Sequence, residues 1–334
     1  MSEEPKELSM HDIAQMSGVS IATVSRVINQ NGRYSKETEQ RVLDIIEKYH
    51  YTPNMTAKRL RTGKANFVAV IVPDITNEFF AHIVKYLQDG LLENGFLALI
   101  CNTAERMDIQ QQYLQTLGIV NLAGIIFVSG SMDIQQTGLQ KLPTIYIDRT
   151  PEDAALRNAM VVESDNYGGA CMAVRELYQK GCKRIAIMRS SQSISTHSIR
   201  QSGYADQLAR FGLSPQPEIR VDEVSFMAAR KKMDQIIAQS LPFDGLFCVT
   251  DWLAAGALAS LQEHGIAVPE KVKIVGFDDI SIASLTARPI TTIHQQIDVI
   301  GKTAVDEVVR LIHGGVVRAT RIQIGVSLVE RMTT

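Results

Sequence analysis

Polar and aromatic side chains follow four of the apolar runs in the second part of the chain. Their positions are Asn77, Phe79 and Phe80 after the run 67–72, Asp148 and Arg149 after 145–147, Thr250 and Asp251 after Val249, and Asp278 after 275–277. Carboxylate and guanidinium groups can each bind two neighbouring hydroxyl groups, and aromatic rings cover the apolar faces of a sugar ring. These residue types therefore indicate a binding site for a small molecule rich in hydroxyl groups.

A second group of residues that could bind a ligand lies on one face of a predicted helix near the N-terminus. The set is Ile21, Ala22, Ser25, Arg26 and Asn29, and the opposite face has the apolar stripe Val24, Val27 and Ile28. Outward residues near the start of such a helix reach base edges when a helix pair docks in the major groove. Arg26 can donate two hydrogen bonds to guanine, whereas Ile21 and Ala22 can contact only thymine methyl groups. This face predicts a DNA reader; an ordinary helical hairpin in a larger core is the alternative.

Capping signals place that helix second in a small helical unit. Ser9 with Asp12 three residues later is typical of a helix start, Gly18 suits a helix end with positive φ, and Ser20 suits a second N-cap. A third helix is predicted over 37–49. Residues 9–64 contain nine Lys or Arg and five Asp or Glu, a net charge of +4, although the whole chain has a net charge of −2. A basic unit on an acidic body favours phosphate contact at one end of the molecule.

From residue 66 onward, apolar runs alternate with amphipathic segments in the manner of βαβ units. Two successive sets of these units predict an α/β core of two doubly wound parallel-sheet lobes, which follows an all-α helix-turn-helix head. Strand ends in such lobes bind ligands, and this is where the polar residues lie. The expected boundaries are a head at 1–53, a linker at 54–63 and a core at 64–334. The expected lobes of the core are 64–160 plus 294–319 and 161–293 plus 320–334.

Several functional classes are disfavoured by composition and motifs. No run approaches the ~18 apolar residues of a membrane span, and the charged N-terminal residues exclude a signal peptide, so we expect a cytoplasmic protein without a membrane partner. Four widely separated cysteines predict neither disulfides nor zinc ligation. The segment Gly301–Thr303 resembles the end of a phosphate loop but lies in a predicted helix. With no nucleophile and base motif, we expect no enzyme activity, no metal and no cofactor.

Ordered motifs along almost the whole chain closely resemble those of the lactose/galactose-repressor family. They are Asp-Ile-Ala at 12–14, Ser-Gly-Val-Ser at 17–20, Thr-Val-Ser-Arg-Val-Ile-Asn at 23–29, Tyr-Thr-Pro-Asn at 51–54, Ala57 with Leu60, Val-Pro-Asp-Ile-Thr-Asn-Glu-Phe-Phe at 72–80, Arg-x-x-Gly-Tyr at 200–204, Val-Gly-Phe-Asp-Asp at 275–279 and Pro-Ile-Thr-Thr-Ile-His-Gln at 289–295. The resemblance implies a homodimeric transcription factor, usually a repressor, that binds a palindromic operator in double-stranded DNA. No leucine-rich heptad tail follows Arg331, which favours a dimer over a tetramer.

The resemblance also implies where this chain contacts DNA. In the family, a linker helix forms on DNA, and its leucine, Leu60 here, wedges into the minor groove and kinks the duplex, although a simple basic linker is the alternative. The full expected DNA-contact set is Ser9, Met10, Ser20, Ile21, Ala22, Thr23, Ser25, Arg26, Asn29, Asn54, Ala57, Lys58 and Leu60.

The core resembles the ribose-binding branch of the related sugar-binding proteins, which implies a sugar effector. The implied contacts are Asn77, Phe79, Phe80, Asp148, Arg149, Arg200, Phe226, Thr250, Asp278 and Gln295. Thr250 stands where asparagine is usual, so the sugar stays open: a pentose or furanose-like sugar is the first choice, and a sugar phosphate or nucleoside is the alternative. Asp148 and Arg149 are alternatively a structural ion pair, and Phe79 and Phe80 core residues. Asp165 is expected to cap a helix.

We therefore expect an effector-responsive repressor of a sugar-utilisation operon. Three alternatives within the regulator class and outside it stay open: a global carbon-catabolite regulator with a phosphoprotein corepressor, a purine- or nucleoside-responsive repressor, and a sugar-binding transport protein. The basic head at residues 9–61 argues against the transport protein, since transport requires only the lobes.

Overall fold

The computed structural model describes residues 9–28, 31–49, 66–128, 139–149, 159–192 and 194–334. The expected DNA contacts Asn29, Asn54, Ala57, Lys58 and Leu60, and with them the linker at 54–63, lie outside the described residues. The chain divides into two compact units, Met1–Lys64 and Ala65–Thr334. No helix among the described residues is long and apolar enough to span a membrane.

The described part of the first unit contains three helices: α1 (Met10–Ser17), α2 (Ile21–Ile28) and α3 (Lys36–Lys48). Ser9 caps α1 in a capping box with Asp12, and Gly18 ends it with φ of 68°. Ser20 Oγ accepts a hydrogen bond from the Thr23 amide at 3.2 Å and so caps α2. These contacts confirm the two predicted helices around a tight turn. The buried core of the unit is Ile13, Ala14, Val24, Val27 and Val42.

The second unit alternates strands and helices, as the apolar pattern predicts. Its strands are β1 (Phe67–Val72), β2 (Leu97–Asn102), β3 (Leu122–Val128), β4 (Thr144–Ile147), β5 (Ala159–Ser164), β6 (Ile185–Ser190), β7 (Ile219–Val221), β8 (Gly245–Cys248), β9 (Lys273–Asp278), β10 (Thr291–Gln295), β11 (Arg321–Ile324) and β12 (Val326–Val329). Its helices are α4 (Glu78–Glu93), α5 (Met107–Leu117), α6 (Asn166–Gln179), α7 (Ser195–Arg210), α8 (Phe226–Gln239), α9 (Asp251–Glu263), α10 (Ser281–Leu285) and α11 (Ile297–Ile312).

The strands form two six-stranded sheets. Their orders are β11-β5-β4-β3-β1-β2 in the N-lobe and β12-β10-β9-β8-β6-β7 in the C-lobe. Every pair is parallel except β10 with β12, which is antiparallel. Parallel strands buried on both faces need the continuous apolar runs that the sequence shows, and β1, β3 and β5 are buried over almost their whole length.

The chain crosses between the lobes three times, after β5, after β10 and between β11 and β12. The expected boundaries at 160, 293 and 319 fall too early. Strand β5 continues to Ser164 in the N-lobe sheet, β10 continues to Gln295 in the C-lobe sheet, and β11 pairs with β5 rather than with a C-lobe strand. Ladder hydrogen bonds assign a strand to its sheet, and the apolar pattern does not contain that information.

One C-lobe segment enters the N-lobe core. Ile280, just after β9, is 3% exposed and belongs to the N-lobe cluster, against which Trp252 and Ile282 also pack. In the next position, the Ser281 amide donates to both carboxylate oxygens of Glu78, at 3.1 and 3.2 Å, and its hydroxyl donates to Glu78 Oε2 at 2.5 Å. The start of α4 and the end of β9 are thereby joined across the two lobes.

Candidate functional site

A cleft, partly open to solvent, lies where residues of both lobes meet. Eight of the ten expected effector contacts line it: Asn77, Phe79, Phe80, Asp148, Arg149, Arg200, Thr250 and Asp278. Glu105, Ile194, Thr196, His197 and Val224 complete the lining. The strand ends therefore meet at one site, as the parallel topology requires.

Arg200 is the central cation of the cleft and is 3% exposed. Its Nε donates to Asn166 Oδ1 at 2.8 Å, and its Nη1 donates to the Val249 carbonyl at 2.5 Å and to Asp278 Oδ1 at 3.5 Å. The guanidinium lies over the Phe277 ring, 3.5 Å from its centroid. These contacts fix the guanidinium plane, and within the described part of the chain no hydrogen bond uses Nη2, which leaves this donor for a ligand.

Asp278 ends β9 in a strained conformation, with φ of 116°, and Asp279 follows at 56°. Such conformations persist where the surrounding structure fixes them, and they cluster at ligand sites. The Asp278 carboxylate accepts from Gln295 Nε2 at 2.7 Å. Burial raises the pKa of Asp278 to about 7, and the carboxylate of Asp148 acts in the same direction, whereas Arg200 lowers it.

Asp148 and Arg149 follow β4, and Asp148 also has a positive φ, of 67°. Asn166 links this corner to Arg200, because its Nδ2 donates to Asp148 Oδ1 at 3.4 Å while its Oδ1 accepts from the guanidinium. Asp148 and Arg149 both line the cleft.

The aromatic pair Phe79 and Phe80 lies at the start of α4, which Asn77 caps by accepting from the Phe79 amide at 3.1 Å. The rings pack edge to face with centroids 5.5 Å apart. Both residues belong to the N-lobe core and also line the cleft, so a place in the core does not prevent them from contacting a ligand.

Behind the cleft, the fully buried Asp251 holds the C-lobe strand ends together. Its carboxylate accepts from Thr292 Oγ1 at 2.5 Å and from the Ile280 amide at 3.0 Å. Burial raises the pKa of Asp251 well above its usual range, and the charge of Asp278 adds to this effect. Asp251 is thus a structural residue at the first position of α9, whose N-cap is Thr250.

The face of α2 that is expected to read DNA is accessible. Ser9, Ser20, Ile21, Ala22 and Arg26 are exposed, and Met10, Thr23 and Ser25 are half-buried. Gly32, with φ of 91°, lies against the stem of Arg26, so a Cβ at that position would stand 3.1 Å from Arg26 Cδ. A side chain at residue 32 would therefore be strained by its positive φ and would crowd the stem of Arg26.

Comparison with known proteins supplies the assignment. The sequence profile described as "Bacterial regulatory proteins, lacI family" matches residues 9–54, and that of the periplasmic binding protein-like domain matches residues 174–334. The ribose operon repressor of Bacillus subtilis is 30% identical over 326 residues, 98% of this chain and 98% of that protein. This chain belongs to the lacI family. The sucrose operon repressor of Pediococcus pentosaceus, also similar, is 32% identical over 290 residues, 86% of each chain.

Solved structures confirm the lacI-family fold over the full length. The lac repressor dimer bound to operator and an anti-inducer covers 98% of this chain and 99% of that chain, with a TM-score of 0.88 and 24% identity. A periplasmic binding protein/LacI transcriptional regulator from Alkaliphilus metalliredigens, complexed with D-xylulofuranose, is 26% identical, covers 81% of this chain and 99% of that chain, and has a TM-score of 0.71. As a lacI-family protein, this chain is a DNA-binding transcriptional regulator.

Two expected effector contacts of this lacI-family chain are not among the residues that line the cleft. Phe226 begins α8 and packs against the C-lobe core, and Gln295 lies behind Asp278, to which it donates. Thr196 and His197 also line the cleft, although no sequence motif singles them out. They lie in the first turn of α7, which begins at Ser195, and Ile194 stands at its N-cap without a side-chain cap. Asp165 caps α6 as predicted, by accepting from the Gly168 amide at 2.8 Å.

Proposed function

We propose that this chain represses a sugar-utilisation operon, and that a sugar bound in the cleft sets its occupancy of the operator. The observation that carries the proposal is the arrangement of Asp148, Arg200 and Asp278 around one cleft in a chain that also presents a helix-turn-helix head. Paired carboxylates and a fixed guanidinium bind vicinal hydroxyl groups, and the Phe79 and Phe80 pair offers an apolar surface for a sugar ring.

The relatives support a sugar as the effector. A ribose operon repressor and a sucrose operon repressor are at least 30% identical to this chain, and one similar structure is a complex with D-xylulofuranose. We propose that the cleft binds a pentose or furanose-like sugar through Asn77, Phe79, Phe80, Asp148, Arg149, Arg200, Thr250 and Asp278, with Gln295 and Phe226 as supports. In this proposal the cleft binds and does not catalyse.

For the DNA side, we propose that a homodimer binds a palindromic operator in the cytoplasm. Arg26 and its neighbours on α2 enter the major groove, and residues 54–60 form the minor-groove linker. Effector binding shifts the equilibrium between two arrangements of the lobes, and the affinity of the two heads for the operator depends on which arrangement is populated.

The proposal is tested in two steps. An operator is first selected from a random duplex pool with the full-length chain, and the affinity for it is measured by fluorescence anisotropy with and without each member of a panel of pentoses, hexoses and purines. We expect a palindromic site and a change in operator affinity with a sugar. If operator affinity responded to a purine alone, the proposed effector would be a nucleobase and not a sugar. If the selected sites contained no palindrome, the proposal that a dimer binds the operator would be overturned.

A further inference from the structure

No described side chain caps the first turn of α7, which lines the cleft. Ile194 occupies its N-cap position and has no side chain that can accept a hydrogen bond. The starts of α5, α10 and α11 also lack a side-chain cap, whereas Asn77, Asp165, Ser225 and Thr250 cap their own helices. The first amides of a helix need acceptors, and the helix dipole favours negative charge at this end. Ile194, Thr196 and His197 of this turn all line the cleft.

Two buried side-chain nitrogens at the same site also lack partners. His197 is only 4% exposed, and its Nδ1 forms no hydrogen bond with any described residue. Arg149 Nε is likewise buried without a partner within the described ranges. A buried nitrogen of this kind costs free energy unless something satisfies it. Arg149 Nε needs an acceptor, and His197 Nδ1 can donate to the same acceptor in the tautomer that carries its proton there.

The charges around His197 are positive. Burial lowers the pKa of the imidazole well below its usual value, and Arg200, Arg149 and Arg189 lower it further. The ring is therefore neutral in a field set by three arginines. Arg189 is paired with Glu218 and Arg200 with Asp278, so Arg149 and the uncapped helix end are the groups that would attract an anion placed beside His197.

We propose that the effector is a sugar phosphate, whose phosphate group is bound by the first turn of α7, His197 and Arg149. A phosphate offers three strong acceptor oxygens, which match a helix N-terminus, an imidazole and a guanidinium. Asp148, Asp278 and Glu105 also line the cleft, and these carboxylates repel an anion and accept from hydroxyl groups instead. The two chemistries orient the ligand, with hydroxyl groups toward the strand ends and phosphate toward α7.

This inference rests on the proposed function, and matched ligand pairs separate the two. Calorimetry on the full-length chain compares ribose with ribose 5-phosphate and fructose with fructose 6-phosphate, with ribonate as a carboxylate probe and inorganic phosphate as a competitor. We expect one phosphorylated sugar to bind at least about tenfold more tightly than its neutral partner, and phosphate to compete with it. The inference would be overturned, and the proposed function left intact, if ribonate bound more tightly than every sugar phosphate. The same holds if a neutral sugar bound as tightly as its phosphorylated partner, or more tightly. Loss of any effect of all these ligands on operator affinity would overturn both.

A pair of variants locates the phosphate. The side chains introduced by His197→Gln and His197→Glu have similar size and differ by one negative charge. We therefore expect His197→Glu to weaken binding of the sugar phosphate at least about tenfold more than His197→Gln does. Binding of the neutral sugar is measured for both variants, and we expect it to differ between Gln and Glu by much less than binding of the sugar phosphate does. His264→Gln, at the C-cap of α9, is the matched control. Folding is checked by thermal melting and by operator binding without effector. Equal effects of the two His197 variants on the sugar phosphate would contradict the assignment.

Discussion

The residues expected to bind DNA and those expected to bind the effector differ in their burial. On α2, the expected DNA-reading residues Ile21, Ala22 and Arg26 are exposed, and they rest on a core of five buried side chains. In the cleft, Arg200 and Asp278 are buried and bound to other protein groups. Substitutions at exposed positions usually change the free energy of unfolding little, whereas loss of one member of a buried charge pair lowers it by several kcal/mol. The head can therefore change its specificity without refolding, and the cleft cannot.

The largest effect is expected at Arg200. Arg200→Ala removes one partner of a buried charge pair, for which losses of about 3–5 kcal/mol are typical, and we expect effector affinity to fall at least about 100-fold. Calorimetry measures the affinity, and denaturant unfolding measures the stability of the core. Arg318→Ala, at an exposed position, is the control. Effector binding by Arg200→Ala at the parent's affinity would remove this cleft as the site.

The next effect is expected at the exposed arginine of the head. Arg26→Ala should cost about 1–3 kcal/mol on the selected operator and much less on random DNA, because a bidentate contact with guanine discriminates between bases. Anisotropy on both duplexes at one salt concentration measures the difference, and Arg33→Ala provides an exposed comparison. Equal losses on both duplexes would show that Arg26 only neutralises phosphate.

A pH effect should distinguish the buried cleft from the exposed head. The pKa of Asp278 is raised to about 7, and the ionised carboxylate is the form that accepts from ligand hydroxyl groups. Effector affinity should therefore be full above pH 8 and about tenfold lower at pH 6, where about a tenth of the carboxylate is ionised. The Asp278→Asn variant should bind the effector more weakly, and its affinity should not depend on pH in this way. Any pH dependence that remains in the variant comes from titration of the ligand and is subtracted from that of the parent. A pH dependence that persists unchanged in Asp278→Asn would assign it to another group.

The smallest effect concerns the caps. Ser9→Ala removes the α1 capping box, which is worth about 1 kcal/mol, and the head has a small core to compensate. We expect hydrogen exchange to accelerate throughout α1–α3. Ser225→Ala removes the cap of α8 at a similar cost but should accelerate exchange only near that helix end, since α8 packs in the large C-lobe core. Global acceleration in the second variant would erase the contrast between the two regions.

The sequence was informative where one local signal decided the outcome. Apolar runs with polar residues at their ends identified β1, β4, β8 and β9, and the parallel topology then brought Asp148 and Asp278 to one cleft. Capping chemistry located α1 and α2. No capping residue marks the start of α7, because Ile194 stands at its N-cap, so no local signal pointed to Thr196 and His197. The sheet membership of β5 and β11 depends on hydrogen bonds between distant segments, which no local pattern records.

The segment from Asp278 to Ser281 belongs to the C-lobe by sequence and to both lobes by contact. Its first residue lines the cleft, Ile280 is buried in the N-lobe core, and Ser281 binds Glu78. We therefore expect that the ligand response does not reside in one lobe alone. A chimera that joined the N-lobe of one such regulator to the C-lobe of another would receive this four-residue segment with the wrong partner, and only exchange of Glu78, the facing N-lobe core and the segment together would transfer a working response.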